Sequence, residues 1–476
     1  MKYQRLLGLA LASSLIAPFT HAVELIAIGS INGAYEDLAT STAAPLENGI
    51  PGNRLGGIGS GLAYAGGTTF LALPDRGPNA DLYNSSVDDT VSYICRFQTL
   101  NLSLAPYSDP ETGLPFTLTP MLTDTTLLSS KAPLSYGSGN GLGNEIDGVT
   151  PIGSGAPALN SVDRTNYFTG RSDNFDSSKS STNSKNARLD PEGIRVSNNG
   201  SYVYISDEYG PFVYQFNRKT GQRIKAFKLP DNLAITTLSP QKDVEIAGNT
   251  VGRVTNKGME GLAITPDGKM LVGIMQANLA QDKKKSLRIV TISLPAGVTH
   301  EYAYKLTDGS GVSEILAVNN HQFLVDERDG SGLGDTPLLT DTASAAAVKK
   351  LYLIDLAGAT DISNVNTPGA DLTAYAVSKT PFLDIVAKLN EAGIDSYLIP
   401  SKIEGIAFGQ DVDVEGTTKH TLFIANDNDF LATVADPFAL PSDESRGEIT
   451  NPNQIYVFTF TDAELPGYVP QPIRVR

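Results

Sequence analysis

The chain has 476 residues, with 52 acidic against 36 basic side chains, a formal net charge of −16 and a pI near 4.7. That length is ample for a large core in one or two domains, and so acidic a surface argues against nucleic acid or an anionic membrane as a partner. The one cysteine, Cys95, excludes an internal disulfide, so stability must come from packing, ring closure or a bound metal.

Residues 1–22, MKYQRLLGLALASSLIAPFTHA, read as an export signal: Lys2 and Arg5, an apolar run, then Thr20-His21-Ala22 as a small-residue cleavage site after Ala22. The run from Leu6 to Phe19 is too short for a membrane span and is broken by Ser13, Ser14 and Pro18. No cysteine near the cleavage site offers a lipid anchor. The expected product is a periplasmic or secreted monomer, residues 23–476, whose formal charge falls from −16 to −18 once Lys2 and Arg5 are removed.

VELIAIGSI (Val23–Ile31) is a lone strand with no hairpin partner beside it. Residues from Leu55 to about Asp124 give four alternating apolar strands separated by turn clusters. From about Thr125 to Arg188 the composition turns to Ser, Asn, Gly and Asp without a period, which reads as an insertion on one face. The stretch Leu189–Leu229 then holds the most regular unit: four short strands, IRV, YVYIS, FVYQF and RIKAFKL, parted by polar turns. Units opening at Met259-Glu260-Gly261, Ser313-Glu314-Ile315 and Ile403-Glu404-Gly405 repeat the pattern. In the unit that opens at Ser313, a fourth strand is expected near Ala374–Val377, and Pro381–Ile394 looks helical and external to the repeats. Four strands in about forty residues is one propeller blade. The fold class is all-β: a β-propeller of four-stranded antiparallel blades, five legible and a sixth possible within the insertion, closed by Val23–Ile31 pairing with the last blade.

In a propeller the first strand of each blade lines the axis, so Glu192, Glu260, Glu314 and Glu404 are expected to converge at one channel mouth. Ser60 takes the glutamate position in the first blade; Ser60 to Asp75 and Glu192 to Asp207 are both 15 positions. A second set stands at the ends of the second strands: Asp75-Arg76, Asp207-Glu208, Asp326-Glu327-Arg328 and Asp427-Asn428-Asp429. So many neighbouring carboxylates require raised pKa values, basic partners or a cation, and oxygen-only ligands select Ca²⁺. Glu192, Glu260, Glu404, Glu314 and Asp427 are the expected metal ligands. Arg76, Lys257, Arg328 and Lys402 are expected to hold anionic oxygens, Arg by its bidentate fork. Asp207 or Glu208 is the expected general base. A plainer reading stands beside this one: Asp at a strand end caps turns, and Glu-Gly serves to close blades.

Other chemistries are set aside. His300, His321 and His420 are widely separated, and no Gly-x-Ser-x-Gly, P-loop or dinucleotide fingerprint occurs. Asp411-Val-Asp413-Val-Glu415-Gly416 opens like an EF-hand loop, but Leu422 stands at its twelfth position, so an acidic surface loop is expected.

LDPEGIRV…YVYISDEYGP, GMEGLAITPDGKMLVGIM, SEILAVNNHQFLVDERDG with LYLIDLAGATDIS, and KIEGIAF…LFIANDND together resemble the phytase-like domain. The resemblance implies a β-propeller with esterase-like activity and a phosphoric-ester hydrolase; with the cation expected from the converging acids, the expected activity is a metal-dependent hydrolase of small anionic phosphoric esters. The Glu-Gly elements at Glu192, Glu260 and Glu404 are also similar to those of gluconolactonase-type propellers, which bind a divalent metal there. A lactonase or carboxylesterase is the first alternative, and a binding propeller without turnover the second.

Overall fold

A computed structural model describes residues 23–79, 91–107, 109–137, 161–162, 164–335 and 338–474. The expected signal, residues 1–22, lies outside them.

Five antiparallel four-stranded blades ring a central axis. The first is Gly61–Gly66, Thr69–Leu73, Arg96–Ala105 and Thr117–Leu127. The second is Pro191–Val196, Tyr202–Asp207, Phe212–Asn217 and Arg223–Lys228. The third is Met259–Ile264, Met270–Met275, Ser286–Ser293 and Thr299–Lys305. The fourth is Gly311–Ala317, Gln322–Arg328, Lys349–Asp355 and Lys379–Asp384. The fifth takes Lys402–Phe408, Thr417–Asp427 and Asn453–Phe460, and its outer strand is Glu24–Ile31 from the other end of the chain.

Alternation makes these strands because both faces of each blade are buried. In the second blade Val203 and Ile205 pack with Leu71, Leu73 and Phe97 of the first, while Tyr204 faces Leu262 and Leu271 of the third. The inner strands approach so closely that a side chain after the glutamate has no room. A Cβ on Gly193 meets the Leu262 backbone N at 2.6 Å, and one on Gly261 meets Ile315 N at 2.7 Å. The glycine of Glu-Gly is therefore a ring-closing residue, as the plainer reading holds.

The ring is locked twice more. Phe116 N–H, just before the outer strand of the first blade, donates to Ile26 O at 3.1 Å. At the far end of the channel, residues 469–474 cross from Val318 O to Val196 O and Asn198 through Val469 N, Gln471 Nε2 and Arg474 N.

Three details differ from expectation. The fourth strand of the fourth blade is Lys379–Asp384, because Leu372–Tyr375 instead forms a 3-10 turn capped by Asp371, and Val377 N bonds Ala303 O of the third blade. The helix that follows is Ile385–Glu391, started by the Asp384 carboxylate accepting from Ala387 N. The first part of the expected insertion, Thr125–Leu127, belongs to the first blade; beyond it the described residues form a three-stranded sheet of Ser129–Ser130, Thr165–Tyr167 and Ser161–Val162. Among the described residues there is no sixth blade. Asp413 and Glu415 lie in a hairpin where Val412–Val414 pairs with Thr417–Lys419.

Candidate metal centre

First strands begin, and second strands end, at the same mouth of the channel, so the recurring acids of both sets arrive together. Three groups of carboxylates have ligand atoms within 4.8 Å of one another: Asp75, Asp427 and Asp429; Asp75, Asp190 and Glu192; and Glu192, Glu208 and Glu260. Shared members make them one row, running from the fifth blade through the first and second to the third.

The groups differ in what already neutralises them. In the first, Lys402 Nζ lies 2.9 Å from Asp427 Oδ2 and also bonds Asp429. Asp429 and Phe430 hold left-handed backbone (φ +52° and +59°), a strained pair kept in place where Phe430 packs edge-on against Tyr93. In the second group, Arg76 Nη1 sits 3.1 Å from Asp190 Oδ2 and 3.5 Å from Asp75. Among the described residues the third group holds no base within 3.5 Å: Arg328 Nη2 reaches only to 3.9 Å of Glu260. Glu208 accepts from Gly258 N and Glu260 from Gln276 Nε2, each at 2.9 Å. The second oxygen of Glu260 is buried without a partner, and among the described residues Glu192 makes no hydrogen bond or ion pair.

Titration follows this arrangement. Burial, then the charges of Glu260 and Asp190, push Glu192 and Glu208 well above the usual carboxylate range. Burial likewise raises Glu260, with Arg328 pulling the other way. Asp75 is raised well above its ordinary value by burial and by Asp427. Without a cation, the carboxyls of the third group are therefore biased toward their protonated forms. Its donor set is all oxygen, partly orphaned and strongly buried, which fits a hard cation.

The expected residues distribute as follows. Glu192 and Glu260 meet, joined by Glu208. Glu404 bonds Arg328, and burial lifts it to about 8 despite that partner. Asp427 sits with Lys402. Glu314 lies outside the three groups: its Oε1 accepts from Leu262 N and Ile315 N at 2.9 Å each, and its Oε2 faces Arg195 at 3.0 Å. Ser313 stands at the glutamate position of that blade, 15 positions before Arg328, and its hydroxyl accepts from Arg328 Nε. Asp207 caps its own turn, Oδ1 accepting from Tyr209 N at 3.0 Å and Asp190 N at 3.2 Å, and burial lifts it to about 7. Lys257 is exposed and unpaired among the described residues. Sequence reasoning misses Asp190; the signal is its place two residues ahead of Glu192 in Leu-Asp-Pro-Glu.

A five-bladed ring with a carboxylate-lined mouth defines the class: a β-propeller with a candidate cation centre on its axis. The family model "Phytase-like: Esterase-like activity of phytase" matches residues 53–430, and the chain belongs to that family. An uncharacterized secreted protein of Arthroderma benhamiae is 27% identical over 329 residues, covering 59% of this chain and 60% of the relative. Among solved structures, the chain is similar to Kuenenia stuttgartiensis hydrazine synthase (11% identity, TM-score 0.30, 79% and 78% of the two chains). It is also similar to the periplasmic gluconolactonase of Pseudomonas aeruginosa (12%, TM-score 0.29, 85% and 89%). At these scores the likeness says nothing about chemistry. Among the described residues no helix is long and apolar enough to cross a membrane.

Proposed function

We propose that this protein is an exported ester hydrolase acting on small phosphoric esters, with Ca²⁺ held by Glu192, Glu208 and Glu260. One observation carries the reading: of three adjoining acid groups, two have an ammonium or guanidinium within about 3 Å of a carboxylate, whereas among the described residues the nearest base to this one, Arg328, stands 3.9 Å from Glu260. A cation bound there polarises a phosphoryl oxygen and lowers the pKa of a nearby water. Glu208 is drawn into ligation and Asp207 is tied to its turn, so the base role passes to Asp75. Asp75 is next in the row, within 4.8 Å of Glu192, and its raised pKa suits it to take a proton. Arg76 orients Asp75 and Asp190, and the unpaired Lys257 meets the anionic end of the ester.

A lactone or carboxylic ester is the second reading. It is favoured by the engagement of Arg76, Arg328 and Lys402 with carboxylates, which leaves thin positive charge for a phosphate dianion. Parallel assays on a phosphate monoester, a lactone and p-nitrophenyl acetate decide between the two. EDTA should abolish the activity and Ca²⁺ should restore it; undiminished turnover in chelator excludes this mechanism.

A further inference from the structure

Directly below the acid row one side chain fills the axis. Arg195 is buried and donates to carbonyls of three blades: Leu62 O of the first at 2.8 Å, Ile194 O of its own at 2.6 Å, and Ile315 O of the fourth at 2.9 Å. Its partner Glu314, fully buried, accepts from Leu262 N of the third blade and from Ile315 N of its own. One ion pair thus ties four inner strands. The tie points stand two residues beyond Ser60, Glu192, Glu260 and Ser313, one pleat below the ring of mouth side chains. Beside the pair lies a chamber lined by Arg195 itself and by Leu62, Tyr64, Leu316, Phe408 and Tyr468. The pair is therefore the floor of the acidic cup.

Two such charges are costly to bury, and an apolar pair of equal volume packs the axis at least as favourably. Most of the close approach between strands is already provided by Gly193 and Gly261. What the fork of Arg195 adds is a fixed spacing: planar donors at set angles hold the strand bearing Glu192 relative to its neighbours, and Glu314 holds the strand bearing Glu260. We propose that Arg195 and Glu314 are positioning residues for the cation, setting the separation of Glu192 and Glu260 that Ca²⁺ coordination requires. This rests on the reading that Glu192, Glu208 and Glu260 form the cation centre. Displacement of a ligand by about 1 Å is enough to weaken a preorganised site severely.

The test uses the full mature chain and Tb³⁺ as a luminescent stand-in for Ca²⁺. Arg195→Lys keeps the charge opposite Glu314 but cannot span three carbonyls. It should bind Tb³⁺ at least tenfold more weakly, with a shorter luminescence lifetime as extra water enters the loosened cup. Glu314→Gln keeps an acceptor for Leu262 and Ile315 but removes the charge facing Arg195, and should weaken Tb³⁺ binding severalfold. Asp413→Asn, exposed in the Val412–Lys419 hairpin, should bind as the wild type does and serves as the folded control. Wild-type affinity and lifetime in Arg195→Lys would show that the pair serves stability alone and overturn the inference. Failure of the wild type itself to bind Tb³⁺ or Ca²⁺ would overturn the reading of the centre, and this inference with it. Should Arg195→Lys not fold, Arg195→Gln takes its place with the same expected loss.

Discussion

Glu192→Gln should make the cation-free protein more stable and the cation-loaded protein less so. Glu192 is 6% exposed, has no hydrogen-bond or ion-pair partner among the described residues, and lies with Glu208 and Glu260 inside a 4.8 Å circle. Two unit charges at 4.8 Å repel by about 3.5 kcal/mol at an effective dielectric constant of about 20. The carboxylates relieve part of this by binding protons, so the net release on removing one charge at pH 8 is about 2 kcal/mol. For a chain of this length that is a rise of about 2 °C in Tm. Ca²⁺ at a hundred times its Kd adds about 2.7 kcal/mol to the wild type, and the variant, lacking one of three charged ligands, gains little. The assay is thermal unfolding by circular dichroism in EDTA and in Ca²⁺, for both proteins. The order of the two Tm values should reverse between the conditions. A variant that is less stable than wild type in EDTA, or equally stabilised by Ca²⁺, refutes the picture of an unneutralised acid cluster.

Further outcomes follow from other parts of the molecule. Gly193→Ala drives a Cβ to 2.6 Å from the Leu262 backbone, which cannot rotate away, and should cost about 3 kcal/mol in urea unfolding; a cost below 1 kcal/mol would mean that the inner strands are less tightly set. The raised carboxyls, Asp207 and Glu314 at about 7, Glu404 and the unpartnered buried Asp326 at about 8, favour the folded state in their protonated forms. Stability of the cation-free protein is therefore greatest below the unfolded values near 4 and declines as pH rises through about 7 to 8, so Tm in EDTA should fall across that window. A Tm that rises there would contradict the burial of these groups. Lys257→Ala should raise KM for an anionic ester severalfold with kcat little changed, because the side chain is exposed and makes no ion pair among the described residues; a fall in kcat alone would place it in the chemistry. Ile28→Pro removes a ladder bond between Glu24–Ile31 and Asn453–Phe460 and should open the fifth blade to limited proteolysis, read as cleavage near residue 23–31.

The blades were legible because each strand is buried on both faces between its neighbours, which forces alternation and short polar turns into the sequence. Glu192 and Glu260 were legible as a pair for the same reason: each precedes a glycine that only an inner strand needs. The neutralisation pattern was not. Lys402 reaches Asp427 across two strands of one blade, and Arg76 reaches Asp190 from another blade, 114 positions away, and no local signal marks either pairing. Glu314 illustrates a further limit. Ser-Glu-Ile resembles Glu-Gly-Ile, but a slip of one residue turns a side chain to the opposite face of a strand. Its carboxylate therefore lies beneath the ring of mouth acids. The strand Lys379–Asp384 was hidden by the helix that starts on its last residue.

Blade five has an assembly consequence. Its outer strand, Glu24–Ile31, is synthesised long before its mate, Asn453–Phe460, on the far side of four intervening blades. The circle cannot be sealed until Asn453–Phe460 has been made, so the early blades must wait as an open arc with an unpaired edge. Such a late, long-range closure slows folding and lengthens exposure to aggregation.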